Sequence, residues 1–222
     1  MKIIEPSAVI IRPQDKTGGL TALRAIESMA RISHKSEEMQ TPDSYEKFLR
    51  AVVLGHGDWS VTEHASASVL FRVDRGVTHE LVRHRLFSFT QESTRFVNGR
   101  KSYPNGLEFI IPVGISSENS EYDVFECACG DAESAYFKLL DLGKRPQEAR
   151  SVLPNALAST IGVTGNFRVW RWFFLARTSR ETHPDFRRVT IPLLEEFQKR
   201  IPILFEDIVP NARQVDNFSL PH

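Results

Sequence analysis

His64-Ala65-Ser66-Ala67-Ser68-Val69-Leu70-Phe71-Arg72-Val73 alternates along its length. Ala65, Ala67, Val69, Phe71 and Val73 share one face, and His64, Ser66, Ser68 and Arg72 share the other with Leu70. Successive side chains of a strand point to opposite faces, so this stretch reads as a half-buried strand whose polar face is open to a ligand. Residues 75–87 behind it read as a helix. Ahead of it, residues 2–11 form a short β-branched strand. Residues 19–33 place Leu20, Leu23, Ile26 and Ala30 at helical spacing, and 44–54 form a second helix behind Pro42-Asp43. Gly55-His56-Gly57-Asp58 is a turn, and Asn98-Gly99 with Pro104-Asn105-Gly106 makes 98–106 a loop. Residues 108–113 suit a strand, 118–141 a long helix, and 145–151, 166–178 and 185–200 shorter helices. The expected fold class is α+β: a single mixed domain, residues 1–222, with a largely antiparallel sheet and several helices. It lacks the regular βα alternation of a doubly wound sheet.

The chain has 222 residues and contains neither an internal repeat nor a Pro/Gly/Ser-rich linker, which agrees with one domain. At this size roughly 70% of the unfolded chain's surface is buried on folding, so no disulfide or metal is needed to close a core. Lys+Arg and Asp+Glu are 28 each. A neutral chain lacks the positive potential of a general nucleic-acid or membrane-surface binder, though a local basic pocket stays open. No apolar run is long enough to span a bilayer, and MKIIEPSAVIIRP lacks a secretory cleavage pattern, so a cytoplasmic protein without membrane partners is expected. Cys127 and Cys129 lie too close for an easy bridge and read as reduced thiols on a helix.

Nothing matches GxGxxG or a Walker loop, so no Rossmann fingerprint holds a dinucleotide. The seven histidines show no HExxH or i, i+4 metal spacing, so no metal is expected. No serine sits in GxSxG, and neither cysteine has a base beside it in sequence. Charge is nevertheless uneven. Residues 145–188 carry eight arginines, no lysine and three acids, a local net charge of +5. Planar guanidinium groups suit directed bonds to phosphate, carboxylate or a base carbonyl, although single arginines often sit on solvated helix faces. A second cluster runs through His79, Glu80, Arg83, His84, Arg85, Ser88, Gln91, Ser93, Thr94 and Arg95. Cations at the end of the expected 75–87 helix are favoured by its dipole, and they also make, with the hydroxyl and amide groups that follow, a phosphate-binding set. On the aromatic-rich helix, Arg168 and Arg177 are nine residues apart, about 180° around the axis, so one copy of the helix does not easily offer both to one small ligand.

Arg83-His84-Arg85, seven residues and then Ser93, with Arg95 two further on, resembles the signature of flavin-dependent thymidylate synthases. Glu63-His64, Ala149-Arg150-Ser151-Val152-Leu153-Pro154, Asn166-x-Arg168 and Arg177 follow the order of further family elements, so the resemblance covers roughly residues 45–205. It implies an enzyme making dTMP from dUMP, with methylenetetrahydrofolate as carbon donor and NADPH as reductant through FAD. It also implies no cysteine nucleophile and a homotetramer whose sites combine several subunits, which would resolve the opposed Arg168 and Arg177. Carried over, Arg83, His84 and Arg85 contact FAD, with Arg83 also near dUMP. His64, Ser66, Asn166 and Arg168 contact FAD, and Gln91 lies between flavin and nucleotide. Trp172 stands where many members carry His or Asn against FAD, and would stack instead. Glu80, Glu92, Ser93, Thr94, Arg95 and Arg150 hold dUMP, and Arg177 faces the uracil as the catalytic residue. A flavin-dependent methyltransferase of another uracil, or a nucleic-acid-binding module, stands as the alternative.

Overall fold

The structure, a computed structural model, describes residues 1–211. In chain order it comprises β1 (Lys2–Ile4), β2 (Ser7–Arg12), α1 (Lys16–Arg31), α2 (Ser44–Leu49), β3 (Ser66–Asp74), α3 (Arg75–Leu81), β4 (Ser88–Gln91), α4 (Gly99–Ser102), β5 (Glu108–Ile110), α5 (Ser120–Asp141), α6 (Pro146–Ala149), β6 (Ala158–Asn166), α7 (Phe167–Arg177) and α8 (Pro184–Arg200). Four strands form an antiparallel sheet in the order β2-β3-β6-β4. β1 and β5 form a small parallel pair with Lys2 opposite Glu108. The expected α+β class with a largely antiparallel sheet is what the chain adopts. Among the described residues no helix is long and apolar enough to cross a membrane.

β3 follows its sequence pattern closely: Ala67, Val69, Phe71 and Val73 are buried while Ser66 and Leu70 are exposed. The expected strand at 2–11 is broken at Glu5-Pro6 into β1 and β2, because proline cannot donate to a ladder. The expected helix at 75–87 stops at Leu81. Val77, Thr78 and Leu81 carry its buried stripe, and no apolar residue continues that stripe at 84 or 85, so Arg83-His84-Arg85 lies in a turn rather than on the helix. β4 and β6 were not expected. β6 hides because its inward row is Ser159, Ile161, Val163 and Gly165, half of it small or polar. Gly165 is there for space: a Cβ would lie 2.3 Å from the Phe87 ring.

Two helices start by one device. Asp74, ending β3, accepts a hydrogen bond from Val77 N at 2.9 Å, and Asn166, ending β6, accepts one from Val169 N at 2.9 Å. Each cap satisfies a backbone donor that a helix start leaves orphaned, worth about 1 kcal/mol.

The chain forms two compact units, each assembled from separate stretches. The first comprises Met1–Ser7, Phe71–Arg83 and Phe89–Gly162. Its core gathers Leu107, Phe109, Cys129, Tyr136, Ala149 and Leu157 beneath α5. The second comprises Ala8–Leu70, His84–Ser88 and the described residues from Val163 on. Its core is an aromatic cluster in which Trp170 contacts Phe87, Phe173, Phe174 and Phe197 with ring centroids 4.5–5.8 Å apart. Each buried aromatic pair of this kind adds about 0.5–1.5 kcal/mol beyond its area. α1 and α8 also meet closely here, since a Cβ on Gly19 would lie 1.7 Å from the Arg200 carbonyl oxygen.

Candidate functional site

The residues singled out from the sequence divide cleanly between the units. Glu80, Arg83, Gln91, Glu92, Ser93, Thr94, Arg95 and Arg150 belong to the first, and His64, Ser66, His84, Arg85, Asn166, Arg168, Trp172 and Arg177 to the second.

In the first unit, the chain leaving β4 is pinned residue by residue. Gln91 Nε2 donates to Thr78 Oγ1 at 3.1 Å and to Ser159 Oγ at 3.0 Å. Glu92 N donates to the Thr160 carbonyl at 2.9 Å. The Glu92 carboxylate accepts from Arg72 Nη1 at 3.0 Å, from Thr160 N at 3.3 Å and from the Tyr103 hydroxyl. Arg72, half-buried on the polar face of β3, also donates to Thr160 Oγ1 at 2.9 Å and to Glu108 Oε2 at 2.6 Å. Burial, and next the hydrogen bond to Glu92, pushes the Tyr103 phenol up to about 12, so it stays a donor. Arg95 N donates to Ser93 Oγ at 3.3 Å, and Arg150 Nη1 donates to Thr94 Oγ1 at 2.9 Å. Glu92, Thr94, Tyr103, Glu108 and Ser159 line an open cleft of about 420 Å³ whose apolar walls include Leu107, Tyr136 and Leu157. Arg83 and Arg95 are exposed, and Glu80 is partly buried at the end of α3.

In the second unit, His84 and Arg177 meet across 93 positions of sequence: Arg177 Nε donates to His84 Nε2 at 2.8 Å. The imidazole is edge-on to Phe173, with centroids 5.1 Å apart, and lies near Phe87. Burial, and then the Arg177 charge, lowers the His84 pKa from 6.5 to about 4. His84 is therefore neutral at pH 7 and presents a lone pair to the guanidinium. Arg177 also lies over the Phe186 ring, 5.2 Å from its centroid. Arg168, at the other end of α7, donates to Glu63 Oε1 at 2.6 Å, with both side chains about half exposed. So exposed a pair contributes about 0–1 kcal/mol, which makes Glu63 easily exchanged for a ligand anion. Asn166 spends its side-chain oxygen on the α7 cap. His64, Ser66 and Arg85 are exposed, and Trp172 is 50% exposed.

Arg83 and Arg85, on either side of His84 in sequence, are exposed and make no ion pair among the described residues. Among the described residues no group of three or more His, Cys, Asp and Glu is placed to hold a metal. Burial pushes the Cys129 thiol up to about 11, so its nucleophilic thiolate form is scarce at neutral pH.

The family model described as "Thymidylate synthase complementing protein" matches residues 19–203. Proteins named "Flavin-dependent thymidylate synthase" are 37% identical in Corynebacterium glutamicum (68% of this chain and 65% of that protein aligned), 36% in Mycobacterium sp. strain KMS (72% and 68%) and 36% in Sulfurisphaera tokodaii (82% and 69%). This chain belongs to the family of flavin-dependent thymidylate synthases. It spans about two thirds of the length of the actinobacterial members it matches, 65% in the C. glutamicum case. Its fold is that of a crystal structure of the "UMP/dUMP methylase PolB" from Streptomyces cacaoi bound with 5-Br dUMP: TM-score 0.75 over 93% of this chain and 96% of that one, at 23% identity.

Within this family member, sequence reading missed Arg72, Tyr103, Ser159 and Thr160 as the groups that hold Gln91 and Glu92. Arg72 carried a signal, as the one cation on the polar face of the 64–73 strand. Tyr103 lay in a stretch legible only as a loop, and Ser159 and Thr160 lay in an unrecognised strand.

Proposed function

We propose that this chain is a flavin-dependent thymidylate synthase converting dUMP, methylenetetrahydrofolate, NADPH and a proton to dTMP, tetrahydrofolate and NADP+. The observation that carries the reading is family membership together with the built form of Arg83–Arg95: a turn of exposed cations leading into a segment whose backbone and side chains are pinned. FAD, when bound, would carry electrons from NADPH to the new methyl group. Arg83, His84, Arg85, His64, Ser66, Asn166, Arg168, Gln91 and Trp172 would hold it, the arginines at its diphosphate and Trp172 by stacking. Glu80, Arg83, Gln91, Ser93, Thr94, Arg95 and Arg150 would hold dUMP, with Glu92 in the same segment. Arg150, bonded to a neutral hydroxyl, keeps its full charge for a phosphate or a base carbonyl. Arg177 would face the pyrimidine and stabilise the negative charge that develops on the ring as C5 becomes nucleophilic, a pre-positioned positive charge costing no reorganisation during the step. Burial holding Cys129 protonated supports a reaction in which that thiol is not the nucleophile. Both units would work as one domain, since β3 and β6 each contribute residues to both, and four copies would share sites as a homotetramer in the cytoplasm.

The test is tritium release from dUMP labelled at C5, with FAD, NADPH and methylenetetrahydrofolate supplied under low oxygen. Release that requires every component and yields dTMP supports the reading. Flavin-loaded protein that releases tritium from labelled UMP but not from dUMP overturns the substrate, and no release from either overturns the reaction.

A further inference from the structure

Glu92 poses an electrostatic problem for the dUMP site proposed above, on which this inference rests. It immediately precedes Ser93, Thr94 and Arg95, and a free carboxylate there would repel a nucleotide phosphate. The fold uses up that carboxylate. Its oxygens accept from Arg72 Nη1 (3.0 Å), Thr160 N (3.3 Å) and the Tyr103 hydroxyl. The same guanidinium reaches Thr160 Oγ1 at 2.9 Å and Glu108 Oε2 at 2.6 Å, so one planar fork ties β3 to β6, to β5 and to the segment after β4. Both carboxyl side chains are largely buried, at 21% and 27% exposure, where charge is poorly screened.

We propose that Arg72 is a positioning residue for nucleotide binding: it turns the Glu92 carboxylate onto β6, offsets part of the charge that Glu92 and Glu108 bring together, and thereby fixes Ser93–Arg95 as an anion-accepting segment. Arg72 acts through Glu92 without touching the ligand. Lysine does not replace it, because a single ammonium lacks the fork that serves Glu92, Thr160 and Glu108 together. The apparent ligand Glu92 is then a strut, and its role in dUMP binding is indirect.

The experiment is calorimetric titration of dUMP into flavin-loaded wild type, Arg72→Met, Arg72→Lys and the double variant Arg72→Met/Glu92→Gln, with melting temperature, flavin content and steady-state kinetics measured on each. Arg72→Met is expected to weaken dUMP binding by about tenfold or more, since juxtaposed like charges are costly, and to raise KM for dUMP with kcat changed less than about threefold. The double variant, which removes the stranded charge beside Ser93, is expected to regain most of that affinity even if its melting temperature stays low. Arg72→Lys is expected to fall between Arg72→Met and wild type. A merely structural arginine would instead lower melting temperature in both Met variants and leave dUMP affinity per folded, flavin-loaded molecule unchanged, which overturns the proposal. So does a double variant as weak as the single one. Should Arg72→Met fail to fold, wild-type dUMP affinity in Arg72→Lys overturns it. Flavin-loaded wild type that does not bind dUMP at all refutes the proposed function rather than the role of Arg72.

Discussion

The contact between His84 and Arg177 predicts a specific acid sensitivity. His84 titrates near 4 in the folded chain against an ordinary 6.5, because burial and then the neighbouring guanidinium disfavour the imidazolium. The unfolded chain therefore binds a proton at His84 below pH 6.5 that the folded chain refuses until about pH 4. Stability from this residue is fully present above pH 6.5, falls as pH drops through that window, and levels off below pH 4. At face value the difference is worth roughly 3 kcal/mol. His84 stays partly open to water, whose screening reduces this to about 1–2 kcal/mol. The perturbation is His84→Gln, whose amide oxygen still accepts from Arg177 but does not titrate. Urea unfolding between pH 4 and 7.5 on both proteins isolates the imidazole, because the carboxylates common to both cancel in the difference. Wild type is expected to lose about 1–2 kcal/mol more than His84→Gln between pH 6.5 and 4. Parallel pH profiles would refute the reasoning and place His84 in solvent rather than against Arg177 and Phe173.

Three further outcomes are expected. Arg177→Ala should lower dTMP formation by about a thousandfold, on the scale of removing one pre-organised donor from a developing anion, while absorbance at flavin wavelengths shows the cofactor retained; turnover near wild type would remove Arg177 from the chemistry. Cys127→Ser combined with Cys129→Ser should stay active in the same assay, and complete loss of activity in the folded double variant would reopen a nucleophile. Gly165→Ala should cost about 1–3 kcal/mol in urea unfolding, because its Cβ would lie within 2.3 Å of the Phe87 ring; a neutral effect would mean that Phe87 moves aside freely.

The fold was legible where local pattern and tertiary role agree. β3 is the clearest case, since every second residue from Ala67 to Val73 is both apolar and buried. α1 and α5 likewise carried their periodicity openly. β6 carries none, although it pairs with two other strands. Its inward positions serve particular neighbours instead of a uniform core: Ser159 accepts from Gln91, and Gly165 makes room for Phe87. Packing of that kind overrides strand propensity and leaves a segment that reads as loop. The overlong 75–87 helix has the opposite cause. Arg83-His84-Arg85 is compatible with helix, but the chain turns at Val82 and His84 bonds Arg177 and packs on Phe173, contacts that no local rule encodes.

For the candidate site, residue types were legible and partnerships were not. The arginine-only stretch 145–188 looked uniform in sequence, yet its members have different electrostatic fates. Arg171 is bonded to Asp207 and also lies 3.9 Å over the Trp59 ring, so its charge is spent on the scaffold, while Arg145 shares an exposed pair with Glu148. Arg168 holds only a loosely bound, half-exposed Glu63. Arg150 turns to the hydroxyl of Thr94, and the Nε of Arg177 turns to a neutral imidazole. A guanidinium whose partner is a neutral acceptor, as for Arg150, is oriented without being neutralised, which is the condition for meeting an anion at close range. Arg72 reaches the opposite state, with two carboxylates on one guanidinium, which fits a supporting role, while Arg150 keeps its charge for the ligand proposed above. Exposure does not separate Arg145 from Arg150, since both are exposed; the charge of the partner does, a carboxylate for one and a neutral hydroxyl for the other. That quantity depends on which distant residues meet, here 56 positions apart for Arg150 and 93 for Arg177, and so it becomes readable only once the chain is folded.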